Sequence, residues 1–312
     1  MRCLVTGVAG FIGSHLSEAL IKGGHTVTGI DCFTNYYPRT LKEKNIKMLR
    51  KDKNFTFIEG NLLDFNLKEI VSQTDYIFHQ AAQAGVRASW GDDFKIYTEN
   101  NINATQRLLE ASIGTKLKRF IFASSSSVYG DIKNFPMREG DTLYPLSPYG
   151  VSKMASESLC YLYWKSFSLP VISLRYFTVY GPRQRPDMAF HRFVKSILKD
   201  KEISIYGDGN QTRDFTYVSD IIKANILAME RGDEGNTYNI GGGSKVSINE
   251  VLKILEKISG KNIKVKYNEP EKGDMRHTWA DINKAKNDLG YFPTVGLEDG
   301  LEKEFKWLKG EI

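Results

Sequence analysis

The apolar run Cys3-Leu4-Val5-Thr6 breaks into Gly7-Val8-Ala9-Gly10-Phe11-Ile12-Gly13-Ser14-His15-Leu16, and no other stretch restricts the fold of this chain as much. The run predicts a short buried strand, and the glycine-rich stretch after it predicts a tight turn opening a helix. The glycines have separate jobs there: a sharp turn, close approach of backbone to a pyrophosphate, and close packing of helix on strand. A diphosphate would sit at the helix start, where free N–H groups and the helix dipole favour an anion. Such a turn alone is common. Here a second strand, His25-Thr26-Val27-Thr28-Gly29-Ile30, ends in Asp31, eighteen residues after Gly13. A carboxylate at that place accepts hydrogen bonds from adenosine ribose hydroxyls and repels a 2′-phosphate. Gly7, Gly10, Phe11, Ile12 and Gly13 together with Asp31 therefore predict a site for NAD rather than NADP.

The alternation continues along the chain. A Lys-rich helix over 38–52 leads to a strand over 55–59 and then Gly60-Asn61-Leu62-Leu63-Asp64. A strand over 76–79 runs into Gln80-Ala81-Ala82, and a long helix over 97–112 carries Asn101. A strand over 119–123 reaches the serines at 124–127. Strands alternating with helices predict a parallel, doubly wound α/β sheet whose ligands sit at the carboxyl ends of the strands. Each of these turns lies at such an end. The small Ala81 and Ala82 would let backbone approach a flat cofactor, although core packing explains small residues equally well.

Ser147-Pro148-Tyr149-Gly150-Val151-Ser152-Lys153 predicts a helix start, with Ser147 as N-cap and Pro148 in the first turn. Tyr149 and Lys153 are four residues apart and share one face. An ammonium near a phenol favours the phenolate, which lowers the Tyr pKa toward the range where it can take a proton. Two further pairs at the same spacing, Tyr129/Lys133 and Tyr161/Lys165, lack this context and are expected to be ordinary helix or loop faces.

The 312 residues suffice for one large domain or two unequal lobes. Cys3, Cys32 and Cys160 are odd in number and scattered, which suits a reducing cytoplasm and supplies no metal-ligand cluster. The strand-like start and the lack of a long apolar stretch predict neither signal peptide nor membrane span. The net charge is +6, yet the lysines are dispersed rather than striped. That argues against a nucleic-acid partner and suits a polyanionic small substrate.

With these motifs in place, the chain resembles, over essentially its full length, the extended short-chain dehydrogenase/reductases of the nucleotide-sugar epimerase branch. The matching residues are Thr6 to Gly13, Asp31, Gly60-Asn61-Leu62-Leu63-Asp64, residues 125–130, Tyr149/Lys153 and residues 175–182. The resemblance implies a Rossmann domain over 1–177 plus 213–237 and a smaller discontinuous substrate lobe over 178–212 plus 238–312. It implies a catalytic Ser125, Tyr149 and Lys153, the serine lying three residues before Val128-Tyr129-Gly130. It further implies cofactor contacts from Asn61 (Asp in most relatives), Leu62, Gln80, Ala81, Ala82, Asn101 and Tyr176. The stretch 205–215 is similar to the family's nucleotide pocket, in which Tyr206 would flank uracil and Arg213 clamp the diphosphate. An Arg common before Gly273-Asp274 is replaced by Glu271-Lys272, so Lys272 or Arg276 is expected to take over its diphosphate contact. A homodimer through the helices over 100–112 and 149–164 is also implied.

Three chemistries share this scaffold and begin alike: Tyr149 removes the proton of a sugar 4-hydroxyl while hydride passes from C4 to NAD. A 4,6-dehydratase then needs an acidic pair, and a decarboxylase usually has a Glu, between the catalytic Thr/Ser and Val-Tyr-Gly. This chain has Ser126-Ser127 there. A 4-epimerase needs no extra acid. Thr178, where UDP-glucose epimerases usually have Asn, and Arg185-Pro186-Asp187-Met188-Ala189 look like the UDP-glucuronate 4-epimerases. A sugar carboxylate needs a cationic or multi-donor seat, which Arg185 with Thr178, Ser125 and Ser126 could form, with Arg87 as a second cation. UDP-glucose/galactose epimerisation is the alternative expectation. An NAD-sensing protein without activity is the non-enzyme one, disfavoured because the Tyr/Lys pair and the nucleotide pocket are kept.

Overall fold

The computed structural model describes residues 1–311. Strand β1 (Arg2–Thr6) is almost entirely buried from Cys3 onward, and α1 (Phe11–Lys22) packs back across it. The chain then runs through β2 (Thr26–Asp31), α2 (Arg39–Ile46), β3 (Phe55–Glu59), α3 (Leu67–Ser72) and β4 (Tyr76–His79). Short α4 (Phe94–Tyr97) and α5 (Ala104–Ser112) lead to β5 (Arg119–Ser125), α6 (Pro148–Phe167) and β6 (Val171–Tyr176). These six strands and one added from a later segment, Thr237–Ile240, form one sheet in which that added strand lies at the edge beside β6, followed by β5, β4, β1, β2 and β3, every pairing parallel. The order reverses direction at β1, between β4 and β2, which opens a crevice at the carboxyl ends of those strands. The expected α/β doubly wound Rossmann sheet is present.

A smaller lobe comes after β6. It contains β7 (Thr178–Tyr180), α7 (Ala189–Leu198), β8 (Ile203–Tyr206), β9 (Thr212–Arg213) and β10 (Phe215–Tyr217), after which α8 (Val218–Arg231) returns to the large sheet. The seventh strand is β11 (Thr237–Ile240), paired with β6 from Thr237↔Ser173 to Ile240↔Tyr176. The remaining elements are β12 (Val246–Ser247), α9 (Ile248–Ser259), β13 (Val265–Asn268) and α10 (Leu297–Lys309). They bind the lobe together through three two-stranded pairings, β7 with β10, β8 with β13 and β9 with β12.

Three local expectations change. The strand Thr237–Ile240 belongs to the large sheet, so the division expected after 237 cuts through an element; the ladder to β6 holds it there. The helix over 97–112 is interrupted by a π-helical segment, Thr98–Asn103, around Asn101. The Lys-rich helix ends at Ile46 and gives way to a single 3₁₀ turn, Leu49–Lys51. The three cysteines form no disulfide, and Cys3 and Cys160 are packed as small apolar residues. No helix of the described residues is long and apolar enough to cross a membrane.

Candidate active site

Two cavities meet at the carboxyl edge of the sheet. One, of about 200 Å³, is lined by Gly7, Gly10, Phe11, Ile12, Gly13, Asp31, Asn61, Leu62, Gln80, Ala81, Ala82, Lys153 and Tyr176. The other, of about 520 Å³, runs between the sheet and the smaller lobe and is lined by Arg87, Ser125, Ser126, Thr178, Tyr206 and Arg213. Tyr149 and Arg185 line both.

The first cavity suits a dinucleotide on its own geometry. Gly7 turns at φ +69°, and a Cβ at Gly13 would stand 2.2 Å from the Gly7 carbonyl oxygen, so helix and turn touch through backbone. Gly10, the N-cap of α1, has no side chain to cap the helix, and its first turn holds no acidic residue. Its leading N–H groups are thus offered to an anion. Asp31 accepts from Ala9 N–H (2.9 Å) and Phe33 N–H (2.8 Å), which aims the carboxylate along the cavity wall. Burial raises its pKa, and those two N–H bonds pull it back down. Gln80 is oriented by a relay in which Asn225 Nδ2 donates to Tyr176 Oη (2.8 Å) and Tyr176 Oη donates to Gln80 Oε1 (3.2 Å). Asn61 Oδ1 accepts from Leu63 N–H (3.0 Å), holding the turn after β3 against the cavity.

Ser147 caps α6 as expected, its hydroxyl accepting from Gly150 N–H (3.0 Å) with Pro148 at the helix start. That cap places Tyr149 beside the end of β5, where Ser125 is extended (φ −150°) and accepts from Ser127 N–H (3.1 Å). Burial raises the Tyr149 pKa; the Ser125 hydroxyl and the Arg185 charge oppose it. The expected lowering by Lys153 is not what the structure shows. The Lys153 ammonium lies 4.8 Å from the Phe122 ring centre, and burial pulls its pKa down to about 8, with Cys160 and Glu157 acting the other way. Sharing a helix face puts Lys153 near Tyr149 in sequence geometry, but its side chain turns to the sheet.

Two of the expected site residues line neither cavity. Asn101 is buried and spent on structure: its Oδ1 accepts from Gln83 N–H (2.7 Å), and its Nδ2 donates to Gln83 O (3.1 Å) and Ser152 Oγ (2.8 Å). Asn100, its neighbour on the π-helical segment, lines the cofactor cavity instead. Arg276 is drawn off by Asp208, with Nη1 at 2.9 Å and Nη2 at 2.8 Å from its carboxylate oxygens, and neither it nor Lys272 lines the second cavity. A bidentate carboxylate outcompetes a solvated cleft position. Arg87 sits over the Tyr206 ring at 4.2 Å and pairs with Asp274 (2.7 Å), at the end expected to take the nucleotide rather than beside Arg185. Arg192 also lines this end, 5.9 Å from the Tyr206 ring, and is a cation the sequence pattern did not single out. Tyr36 and Asp187 were missed as well. Tyr36 follows Asp31 at the carboxyl end of β2, a position that the strand-end rule could have flagged. The pairs at Tyr129/Lys133 and Tyr161/Lys165 stay outside the cavities: Tyr129 is buried on Asn239 and Arg175, and Tyr161 is exposed beside Trp164.

The GDP-mannose 4,6 dehydratase family profile matches residues 4–304. The chain belongs to this family of extended short-chain dehydrogenase/reductases. Within the family it is 49% identical to an uncharacterised UDP-glucose epimerase of Bacillus subtilis, covering 99% of this chain and 98% of that one. It is 41% identical to a UDP-glucuronate 4-epimerase of Thermodesulfobacterium geofontis, covering 99% and 96%. A crystal structure of UDP-glucuronic acid 4-epimerase from Bacillus cereus, in complex with UDP-glucuronic acid and NAD, superposes with a TM-score of 0.98 at 49% identity over 100% of both chains.

Proposed function

We propose that this family member is an NAD-dependent UDP-sugar 4-epimerase, acting on UDP-glucuronate to give UDP-galacturonate. The observation that carries the reading is the position of Tyr149 and Arg185 on the wall common to both cavities, a proton-transfer group and a fixed cation at one junction.

NAD would be held by the open start of α1, by Asp31 and by Asn61, Leu62, Ala81, Ala82 and Tyr176, and the chemistry it would supply there is reversible acceptance of the C4 hydride. The protein supplies the rest. Tyr149 Oη acts as the phenolate, which the Arg185 charge and the positive charge of a bound nicotinamide would favour against burial. It takes the 4-hydroxyl proton on the outward step and gives it back on the return, with the Ser125 hydroxyl beside the same oxygen. Lys153, cationic below about pH 8, adds positive charge behind the reacting centre. The wider second cavity gives the keto sugar room to turn over while Arg213 and Arg87 keep the diphosphate end fixed.

A glucuronate makes one further demand, because its 4-keto form is a β-keto acid that sheds CO2 readily. Arg185, Thr178 and Ser126 hold the carboxylate so that its C–C bond stays out of line with the carbonyl π system. Arg185→Ala is expected to raise the share of decarboxylated product; an unchanged ratio of epimerised to decarboxylated sugar sinks this role. A second reading, epimerisation of UDP-glucose, is favoured by the name carried by the Bacillus subtilis relative. Incubation without added cofactor, separately with UDP-glucuronate and UDP-glucose, and product analysis by anion exchange and NMR decides between them. UDP-galacturonate from the acidic substrate alone supports our reading, and UDP-galactose alone replaces it.

The protein is further proposed to work in the cytoplasm as a homodimer through α5 and α6. Val151, Tyr161, Leu162 and Phe167 of α6 are exposed apolar side chains, which a partner copy would cover. Light scattering giving the mass of one chain at micromolar concentration would exclude the dimer.

A further inference from the structure

Asp187 accepts from two nitrogens of Arg185, Nε at 3.0 Å and Nη2 at 2.9 Å. The third guanidinium nitrogen, Nη1, has no hydrogen-bond partner among the described residues, and the side chain lines the cavity where the sugar would sit. Asp187 thus fixes which edge of the planar fork is free. Asp187 is in turn held by Tyr36, whose hydroxyl donates to Oδ2 at 3.2 Å. The same Tyr36 ring lies 5.7 Å below the Arg185 guanidinium.

Tyr36 comes from the loop that begins at Asp31, and it lines both cavities. Its place is built for it. A Cβ on Gly85, which turns at φ +105°, would stand 2.1 Å from the Tyr36 hydroxyl oxygen and push the phenol from its place. The turn carrying Gly85 is pinned by Tyr97, whose hydroxyl contacts the carbonyls of Gly85 (2.8 Å) and Ala84 (3.0 Å). Burial lifts the Tyr36 pKa to about 12, so it stays a phenol and keeps its proton to donate.

We propose that Tyr36 and Asp187 are positioning residues that present Arg185 Nη1 to the sugar carboxylate, tying the acid-recognition seat to the cofactor-side loop after β2. This rests on the UDP-glucuronate reading of the same site. Losing either group frees the guanidinium to rotate. The keto acid is then held loosely: its C5–C6 bond breaks, the electron pair passes into the C4 carbonyl as an enolate, CO2 leaves, and C5 later takes a proton.

The test uses the full chain carrying Tyr36→Phe or Asp187→Asn, each close to the original in shape. Calorimetric titration with UDP-glucuronate and with UDP-glucose, beside product analysis from UDP-glucuronate, separates the outcomes. Affinity for UDP-glucuronate is expected to fall about three- to tenfold relative to UDP-glucose, with a larger share of UDP-4-keto-pentose. Equal weakening of both ligands, or an unchanged product ratio, overturns the proposal and leaves the two residues as structural supports. Failure of the unaltered protein to bind or turn over UDP-glucuronate overturns the substrate reading first, and this proposal with it.

Discussion

Glu157 grips Arg175 inside the core behind the serine run, with Nη2 at 2.5 Å and Nε at 3.1 and 3.2 Å from its carboxylate oxygens. Their side chains are only 9% and 5% exposed. The Ser124 hydroxyl also donates to Glu157 (2.5 Å), so the first serine of the run is committed inward. Ser125 lines the sugar cavity beside Tyr149 with its hydroxyl free of that carboxylate, accepting from Ser127 N–H (3.1 Å). A carboxylate on α6 thus claims the hydroxyl of one of the four adjacent serines.

Glu157→Gln leaves the Arg175 guanidinium buried without its counter-charge. A loss of about 3–5 kcal/mol in urea unfolding is expected, the usual cost of breaking one side of a buried pair. A loss below about 1 kcal/mol would mean that Tyr129 Oη and Glu139 O, the other partners of Arg175, suffice to hold it.

Tyr149→Phe removes a hydroxyl that stands beside Ser125 on the wall common to the two cavities. Turnover should fall by at least about 10²–10⁴-fold, the range for loss of a positioned acid–base group, while calorimetry still detects UDP-sugar binding. Turnover retained within tenfold would move the proton transfer to another residue.

Asp31→Ala removes the acceptor for two backbone N–H groups as well as the proposed ribose partner. Affinity for NAD, measured by calorimetry on cofactor-free protein, is expected to drop by about tenfold or more, and the preference for NAD over NADP to shrink. An unaltered preference would place adenosine ribose elsewhere.

Glu304 is fully buried on α10, with Oε2 accepting Gly181 N–H (2.8 Å) at the start of the loop that carries Arg185. Burial pushes its pKa up to about 8, against the pull of that N–H. Between the ordinary carboxyl range and about pH 8 the folded protein therefore keeps a proton that the unfolded chain has lost, and stability falls as pH rises through that window. The thermal midpoint should decline between about pH 5 and pH 8, and Glu304→Gln should decline less. Parallel profiles for the two proteins would show that Glu304 does not titrate there.

The sequence by itself determined the α/β sheet, the glycine turn with Asp31, the Ser147 cap that opens α6, and about half of the residues that line the cofactor cavity. These are legible because they depend on neighbours within a turn or two: apolar periodicity, a capping hydroxyl, a glycine where backbone must pass close. Tertiary structure alone decided which partner each charged or amide side chain chose. Asn101 went to Gln83 and Ser152, Arg276 to Asp208, Arg87 to Asp274 and Tyr206, Lys153 to the face of Phe122, and Tyr36 to Asp187, 151 residues away. A long polar side chain carries little directional preference of its own. Its position is set by whichever complementary group the fold brings within about 3 Å, and that group comes from a distant segment.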